Sequence, residues 1–87
     1  MELTVTEIAK EYPISAREIN EILEREGIQY RDNNIWRLHT IYRVLDIATP
    51  YSGGLKWTER GCRFIHAILE EENKVFSIDL VSLDRSS

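Results

Sequence analysis

The sequence predicts a small α+β domain of the winged helix-turn-helix class, mostly helical, with one short β-hairpin as the wing. Three features support this prediction. Two amphipathic helical segments lie on either side of Pro13. An alternating apolar and polar segment centred on residues 32–34 follows them, and a third amphipathic helical segment begins after Thr58. The alternative is an αα-hairpin that only builds a core.

The first helix is predicted to begin near Thr4. Thr4 and Glu7 have the spacing of a capping box, in which a hydroxyl and a carboxylate satisfy free N–H groups at a helix start. Pro13 prevents the helix from continuing, because proline lacks an N–H group and its ring clashes with the preceding turn. Ala9 is small enough to let a second helix cross closely.

The second helix is predicted to span about residues 16–26. Ser15 and Glu18 form another capping-box pair. Gly27 suits the left-handed conformation that commonly ends a helix. Three apolar side chains at helical spacing form the face that would pack against the first helix: Ile19, Ile22 and Leu23.

After Gly27 the spacing of the apolar residues changes from helical to alternating. Apolar and polar residues alternate on both sides of residues 32–34, which predicts a hairpin because Asn and Asp tolerate the positive φ of tight turns. The apolar residues of segment 41–45 have helical spacing, although their β-branched side chains also suit a strand. Residues 49–54 are predicted to form a loop and residues 55–57 a short strand.

A final helix is predicted over about residues 59–72, with Thr58 as its N-cap. The alternating segment after it has the pattern of a late strand. We therefore expect one winged helix-turn-helix domain at residues 1–73. Residues 74–87 are expected to be a C-terminal tail that forms a strand or a partner-binding arm.

Aromatic residues are the largest candidates for the core. Trp36 and Trp57 are predicted to close the core, because buried side chains of this size dominate a small domain. If Tyr42, Tyr51 or Phe76 were exposed, that would indicate a surface for a partner.

The net charge of −4 over 87 residues is unevenly distributed. Residues 1–30 carry seven glutamates against three basic residues, for a net charge of −4. Residues 31–63 carry six basic against three acidic residues, for +3, and residues 64–87 have a net charge of −3. A negative chain opposes non-specific attraction to nucleic acid, so only the central segment is suited to a basic patch.

Exposed polar residues of the second helix and the hairpin are the candidate binding residues. In DNA-binding proteins Arg and Asn read base edges, and Ser contacts phosphate. The candidate nucleic-acid-binding residues are Ser15, Arg17, Asn20, Arg31, Arg37 and Arg60. Carboxylates on the same helix would repel a phosphate backbone and suit a protein partner. The candidate partner-binding residues are Glu21, Glu24 and Phe76. A solvated face without a ligand explains the same pattern.

Two blocks of the sequence resemble a known family. The first is LTVTEIAKEYPISAREINEILEREGIQYRDNNIWRL, and the second and more specific block is LKWTERGCRFIHAILEE. Over residues 3–72 the chain resembles the C-terminal domain of phage antirepressors, called the KilA-C or ANT domain. The resemblance implies a phage or prophage transcription regulator, a fragment or stand-alone homologue of longer members, that binds DNA, a phage repressor protein, or both. The alternative is a protein-interaction or homo-oligomerisation module without DNA binding.

Catalysis, metals, cofactors and membranes are not expected. Cys62 and His66 have the i, i+4 spacing that can bind one metal, but a closed zinc site would need carboxylates from elsewhere. No glycine-rich phosphate loop surrounds Gly53 and Gly54. No run approaches the roughly 18 apolar residues of a membrane helix. A single cysteine excludes an internal disulfide and fits a reducing cytoplasm.

Overall fold

The elements of the chain alternate between helices and short hairpins. In a computed structural model that describes residues 2–75, the chain has an α+β fold with four helices and two antiparallel hairpins. In chain order the elements are α1 (Val5–Ala9), α2 (Ala16–Arg25), β1 (Gln29–Asp32), β2 (Ile35–Leu38), α3 (Thr40–Arg43), β3 (Ala48–Tyr51), β4 (Gly54–Trp57) and α4 (Glu59–Glu71). The predicted α+β class is confirmed.

Thr4 and Ser15 are the N-caps of the first two helices, as predicted, but of the two predicted capping boxes only the one at Thr4 forms both of its bonds. The Glu7 backbone N–H donates to Thr4 Oγ1 at 3.2 Å, and the Thr4 N–H donates to Glu7 Oε1 at 2.9 Å, which completes the capping box. Ser15 Oγ accepts from the Glu18 N–H at 3.1 Å. Pro13 lies between α1 and α2, so the two helices are separated where the sequence indicated.

The first hairpin also forms at the predicted place. Asn33 and Asn34 make its turn at φ of 53° and 67°, in the left-handed region that asparagine tolerates. In the register of β1 and β2, Arg31 lies opposite Trp36, so these two side chains share one face of the hairpin. Arg37, the next residue of β2, lies on the other face.

The second hairpin corrects a prediction, because residues 49–54 are not a loop. Residues 49–51 belong to β3, which pairs with β4, and Gly54 is the first residue of β4. Pro50 suggested a loop, but β3 is the outer strand of a two-stranded sheet, where a missing N–H is tolerated. Gly53, at φ of 96°, makes the turn between the strands. The short strand predicted at residues 55–57 is confirmed within β4.

The short helix predicted near residues 41–45 is confirmed as α3, but its apolar residues do not face the core. The side chains of Ile41 and Val44 are 72% and 83% exposed. Tyr42 is the residue of α3 that packs inward, with its ring centroid 5.8 Å from that of Phe64 on α4. α3 therefore presents an apolar surface to solvent.

The core is formed by buried apolar side chains from α1, α2, α4, β2, β4 and two connecting segments. These residues are Ile8, Ile19, Ile22, Leu23, Ile28, Leu38, Ile47, Trp57, Ile65 and Leu69. Trp57 has no exposed surface, which confirms its predicted place in the core. The same prediction for Trp36 is wrong: it is only partly buried, because its face of the hairpin borders a surface groove.

The end of α4 is joined to α2 by two ion pairs. Arg25 Nη2 lies 2.7 Å from Glu72 Oε2, and Lys74 Nζ lies 3.5 Å from Glu18 Oε2. Phe76 and the rest of the tail lie outside the described residues, so the strand or partner arm stays a prediction. Within residues 2–75, no helix is both long enough and apolar enough to cross a membrane.

Candidate functional site

A groove of about 400 Å³ lies between α2 and the first hairpin. It brings together three of the predicted nucleic-acid-binding residues and two of the predicted partner-binding residues. Its lining consists of Arg17, Asn20, Glu21, Glu24, Arg31 and Trp36, and we call it the charged groove. The candidate site is therefore one continuous surface that mixes the two predicted sets.

The α2 wall of the charged groove carries an internal ion pair. Arg17 Nε lies 3.3 Å from Glu21 Oε2, one helical turn later, and the Arg17 side chain is 89% exposed. An exposed pair of this kind contributes little to stability. However, the pair places the Glu21 carboxylate beside the Arg17 guanidinium, which is the group that would contact a phosphate if DNA were bound.

A buried amide on β1 holds Asn20, one of the residues that line the charged groove. Gln29 on β1 is 1% exposed, and its Nε2 donates to Asn20 Oδ1 at 2.9 Å and to the Asn20 backbone oxygen at 3.3 Å. These bonds fasten the hairpin to α2. They also engage the carbonyl of the Asn20 side chain, which leaves its NH₂ group for a ligand.

On the side of the charged groove that the first hairpin forms, an arginine side chain stacks on an aromatic ring. Arg31 Cζ lies 4.5 Å from the ring centroid of Trp36, within the range of a cation–π contact. The cross-strand register places both side chains on the face that borders α2. Arg31 makes no ion pair with any of residues 2–75.

The charged groove is electrically balanced. Its two arginines face two glutamates, so its formal charge is zero. Glu21 is paired with Arg17, whereas Glu24 makes no ion pair within residues 2–75. The surface therefore offers one free cation stacked on an aromatic ring and one free carboxylate.

The remaining predicted site residues lie elsewhere. Ser15 is occupied as the N-cap of α2, and Arg60 is exposed in the first turn of α4. Arg37 Nε lies 2.9 Å from Asp32 Oδ2, on the opposite side of the hairpin from Arg31. Arg37 contributes instead to a second groove, of about 540 Å³, between the two hairpins, together with Arg43. Phe76 lies outside the described residues.

Two contributors to the site were missed by sequence reasoning. Trp36 was assigned to the core, and Gln29 was given no role. The predicted alternation assigns Gln29 to a polar position, so no local signal marked this residue as buried. For Trp36 the signal was its place opposite Arg31 across a two-residue turn, which fixes the register.

Cys62 and His66, which have metal-ligand spacing on α4, contact other residues of the domain. His66 Nδ1 lies 2.8 Å from the Tyr12 hydroxyl oxygen, and burial raises the pKa of both the Tyr12 hydroxyl and the Cys62 thiol. Cys62 Sγ lies 3.9 Å from the Trp57 carbonyl oxygen. Among residues 2–75, no three His, Cys, Asp or Glu side chains are grouped so that they could hold a metal ion.

Comparison with known proteins identifies the family. Searches among curated proteins and among solved structures found no match. The family model described as the phage antirepressor protein KilAC domain matches residues 2–72. That range includes α1 to α4, the two hairpins and all six residues of the charged groove. The chain belongs to the phage antirepressor KilAC domain family.

Proposed function

We propose that this domain acts in phage gene regulation by binding a phage repressor protein in the charged groove. Family membership implies the regulatory role. The charge balance of the groove is the observation that supports a polypeptide partner over DNA. The proposal includes no catalytic step.

The proposed scaffold is a winged helix-turn-helix. α1 and α2 are the two helices, and the turn between them contains Pro13. The first hairpin follows α2 directly and serves as the wing, fastened to α2 by the bonds between Gln29 and Asn20. In this arrangement α2 and the wing form the two walls of one recognition groove.

The charge distribution favours a protein ligand. Binding to DNA depends largely on neutralising phosphates with Lys and Arg. In the charged groove, Glu21 neutralises Arg17, and Glu24 adds a free negative charge beside any phosphate. A polypeptide carries both signs of charge, so it can pair a basic side chain with Glu24 and an acidic one with Arg31. It can also place an apolar group against Trp36.

Binding to DNA is the second candidate. Arg31 favours it, because this cation has no carboxylate partner within residues 2–75 and lies on the wing beside α2. The NH₂ group of Asn20 lies in the same groove and can donate to a base or phosphate oxygen. Glu24 would then be a charge that limits affinity.

One charge reversal separates the two candidates. The full chain and its Glu24→Lys variant are titrated with the repressor of the cognate phage and, separately, with operator duplex DNA. Glu24→Lys should weaken repressor binding by about tenfold. The same variant should strengthen any binding to DNA, because it adds a cation beside the phosphates.

A matched control and a salt titration complete the test. Glu11→Lys makes the same charge change at an exposed residue outside the charged groove and should leave repressor binding unchanged. If DNA is the partner, Arg31→Ala should lower the salt slope of binding by about one. If Glu24→Lys and Glu11→Lys bind the repressor with equal affinity, the charged groove is not the repressor-binding site.

A further inference from the structure

The groove of about 540 Å³ between the two hairpins, which we call the inter-hairpin groove, has a largely apolar lining. β2 forms one side of it, and β3 and β4 form the other. Ile35 and Leu55 in its lining are half-buried, and Pro50 is exposed. The inter-hairpin groove shares only Trp36 with the charged groove, so it is a separate surface that offers apolar contacts to a ligand.

Two cations and no acid are found among the lining residues of the inter-hairpin groove. Arg43, the last residue of α3, is exposed and forms no ion pair within residues 2–75. Arg37 donates its Nε–H to Asp32 at 2.9 Å, but a guanidinium has further N–H donors that can bind a second carboxylate. With Asp32 included, the formal charge here is +1, whereas that of the charged groove is zero. The inter-hairpin groove is therefore complementary to an acidic ligand.

Exposed apolar side chains are concentrated around this groove. The large apolar residues that are exposed within residues 2–75 are Ile41, Val44, Leu45 and Tyr51. The first three lie within two positions of Arg43 along the chain, and Tyr51 lines the groove. Exposed apolar surface that accompanies a cation is typical of a site for another macromolecule.

The combination of charge and apolar surface favours a polypeptide over a nucleic acid. Binding to nucleic acid depends largely on cations that neutralise phosphates, and the Asp32 carboxylate beside Arg37 would repel a phosphate. Aliphatic side chains such as Ile35 and Leu55 offer a phosphate no partner. An extended peptide, by contrast, can direct acidic side chains to one side and apolar side chains to the other.

We propose that the inter-hairpin groove binds an acidic polypeptide segment in which carboxylate and large apolar side chains alternate. The carboxylates pair with Arg43 and with the free donors of Arg37, and the apolar side chains lie against Ile35 and Leu55. The inter-hairpin groove is then a second interaction surface of the domain. It does not depend on the function proposed for the charged groove.

Three peptides test the proposed chemistry on the full ¹⁵N-labelled chain. The acidic probe is acetyl-Phe-Asp-Leu-Glu-Leu-amide. A neutral probe replaces Asp and Glu with Asn and Gln, and a polar probe keeps both acids but replaces the three apolar residues with Ser. The backbone amide signals of Gly53 and Gly54 report on the inter-hairpin groove, and the side-chain NH₂ signals of Asn20 report on the charged groove. The acidic probe should shift the glycine signals in a saturable way, with a dissociation constant on the order of 0.1 mM at physiological salt. The neutral and polar probes should each bind about tenfold more weakly.

A charge-matched pair of variants links the binding to Arg43. Arg43→Gln should weaken binding of the acidic probe by about threefold, as expected for one exposed ion pair, and should leave binding of the neutral probe unchanged. Lys10→Gln removes the same charge at an exposed residue outside both grooves and should leave binding of all three probes unchanged. Both substitutions are at exposed residues, and the amide spectrum of each variant shows whether it is folded.

Three results would overturn the proposal. The first is a neutral or polar probe that binds as tightly as the acidic one, and the second is equal affinity of Arg43→Gln and Lys10→Gln for the acidic probe. The third comes from oligothymidine of about twelve nucleotides, a length that covers one typical single-strand site. If it shifts the glycine signals with a lower dissociation constant than the acidic probe, the inter-hairpin groove is a nucleic-acid site instead.

Discussion

The contact between α4 and the loop before β3 predicts that Gly61→Ala will be strongly destabilising. Gly61 is buried in the first turn of α4, and a Cβ atom there would lie 1.8 Å from the Ile47 carbonyl oxygen and 3.1 Å from Trp57 Cε3. A carbon and an oxygen in contact stay about 3.3 Å apart. The helix would therefore have to withdraw from the loop by about 1.5 Å.

The expected loss of stability follows from three terms. Overpacking of a well-packed core typically costs about 1–3 kcal/mol. The shift would also strain the N-cap, in which the Gly61 N–H donates to Thr58 Oγ1 at 3.0 Å and Thr58 Oγ1 donates to the Asp46 carbonyl oxygen at 2.8 Å, and losing a cap costs about 1 kcal/mol. Alanine regains about 1 kcal/mol of helix propensity. The net loss should be about 1–3 kcal/mol.

Urea denaturation followed by tryptophan fluorescence measures this loss. With a slope of about 1 kcal/mol per molar urea for a small domain, the midpoint should fall by about 1–3 M. Ala67→Gly, at an exposed residue of the same helix, is the matched control and should cost only about 1 kcal/mol of helix propensity. A Gly61→Ala protein as stable as the unaltered chain would refute the packing described for α4.

Three further predictions concern other parts of the domain. Trp57→Ala should cost about 3–5 kcal/mol and unfold much of the protein, whereas Trp36→Ala should cost clearly less, as urea denaturation of the two variants would show. The hydrogen bond from the Thr4 N–H lowers the pKa of the Glu7 carboxyl, so its stabilisation is complete above the unfolded value of 4.5 and is lost as pH falls through the lowered folded pKa. Glu7→Gln should therefore reduce the difference in urea midpoint between pH 7 and acidic pH, and an unchanged difference would contradict this linkage. Because burial raises the pKa of the Cys62 thiol, iodoacetamide should alkylate it at pH 7.5 more slowly in the folded chain than in urea, as mass spectrometry would show.

Local chemistry allowed much of the fold to be predicted from the sequence. The Thr4, Ser15 and Thr58 caps and the two-asparagine turn each depend on residues within three positions of one another, so their patterns can be read without tertiary information. The second hairpin was missed because its evidence is not local. A strand that contains Pro50 is acceptable only at the edge of a sheet, and the sequence does not show which strand is an edge.

The candidate site shows the same division between local and tertiary information. The exposed residues of α2 were recognised from helical spacing, and the groove contains Arg17, Asn20, Glu21 and Glu24 as a group. The neutralisation of Arg17 also follows from i, i+4 spacing. The link between Asn20 and Gln29 could not be predicted, because it joins a helix to a strand and depends on the angle at which the hairpin leaves α2.

The placement of Trp36 connects the fold to the charged groove. Gly54 lies close to Trp36, since a Cβ atom built on that glycine would be 4.0 Å from Trp36 Cβ, and β2 packs beside β4 at this point. Trp36 therefore packs against the second hairpin and is only partly buried, whereas Leu38 of β2 and Trp57 of β4 reach the core. The Trp36 ring instead supports Arg31 in the charged groove. The two hairpins thus place a side chain that sequence reasoning assigned to the core at the surface, where it lines the charged groove.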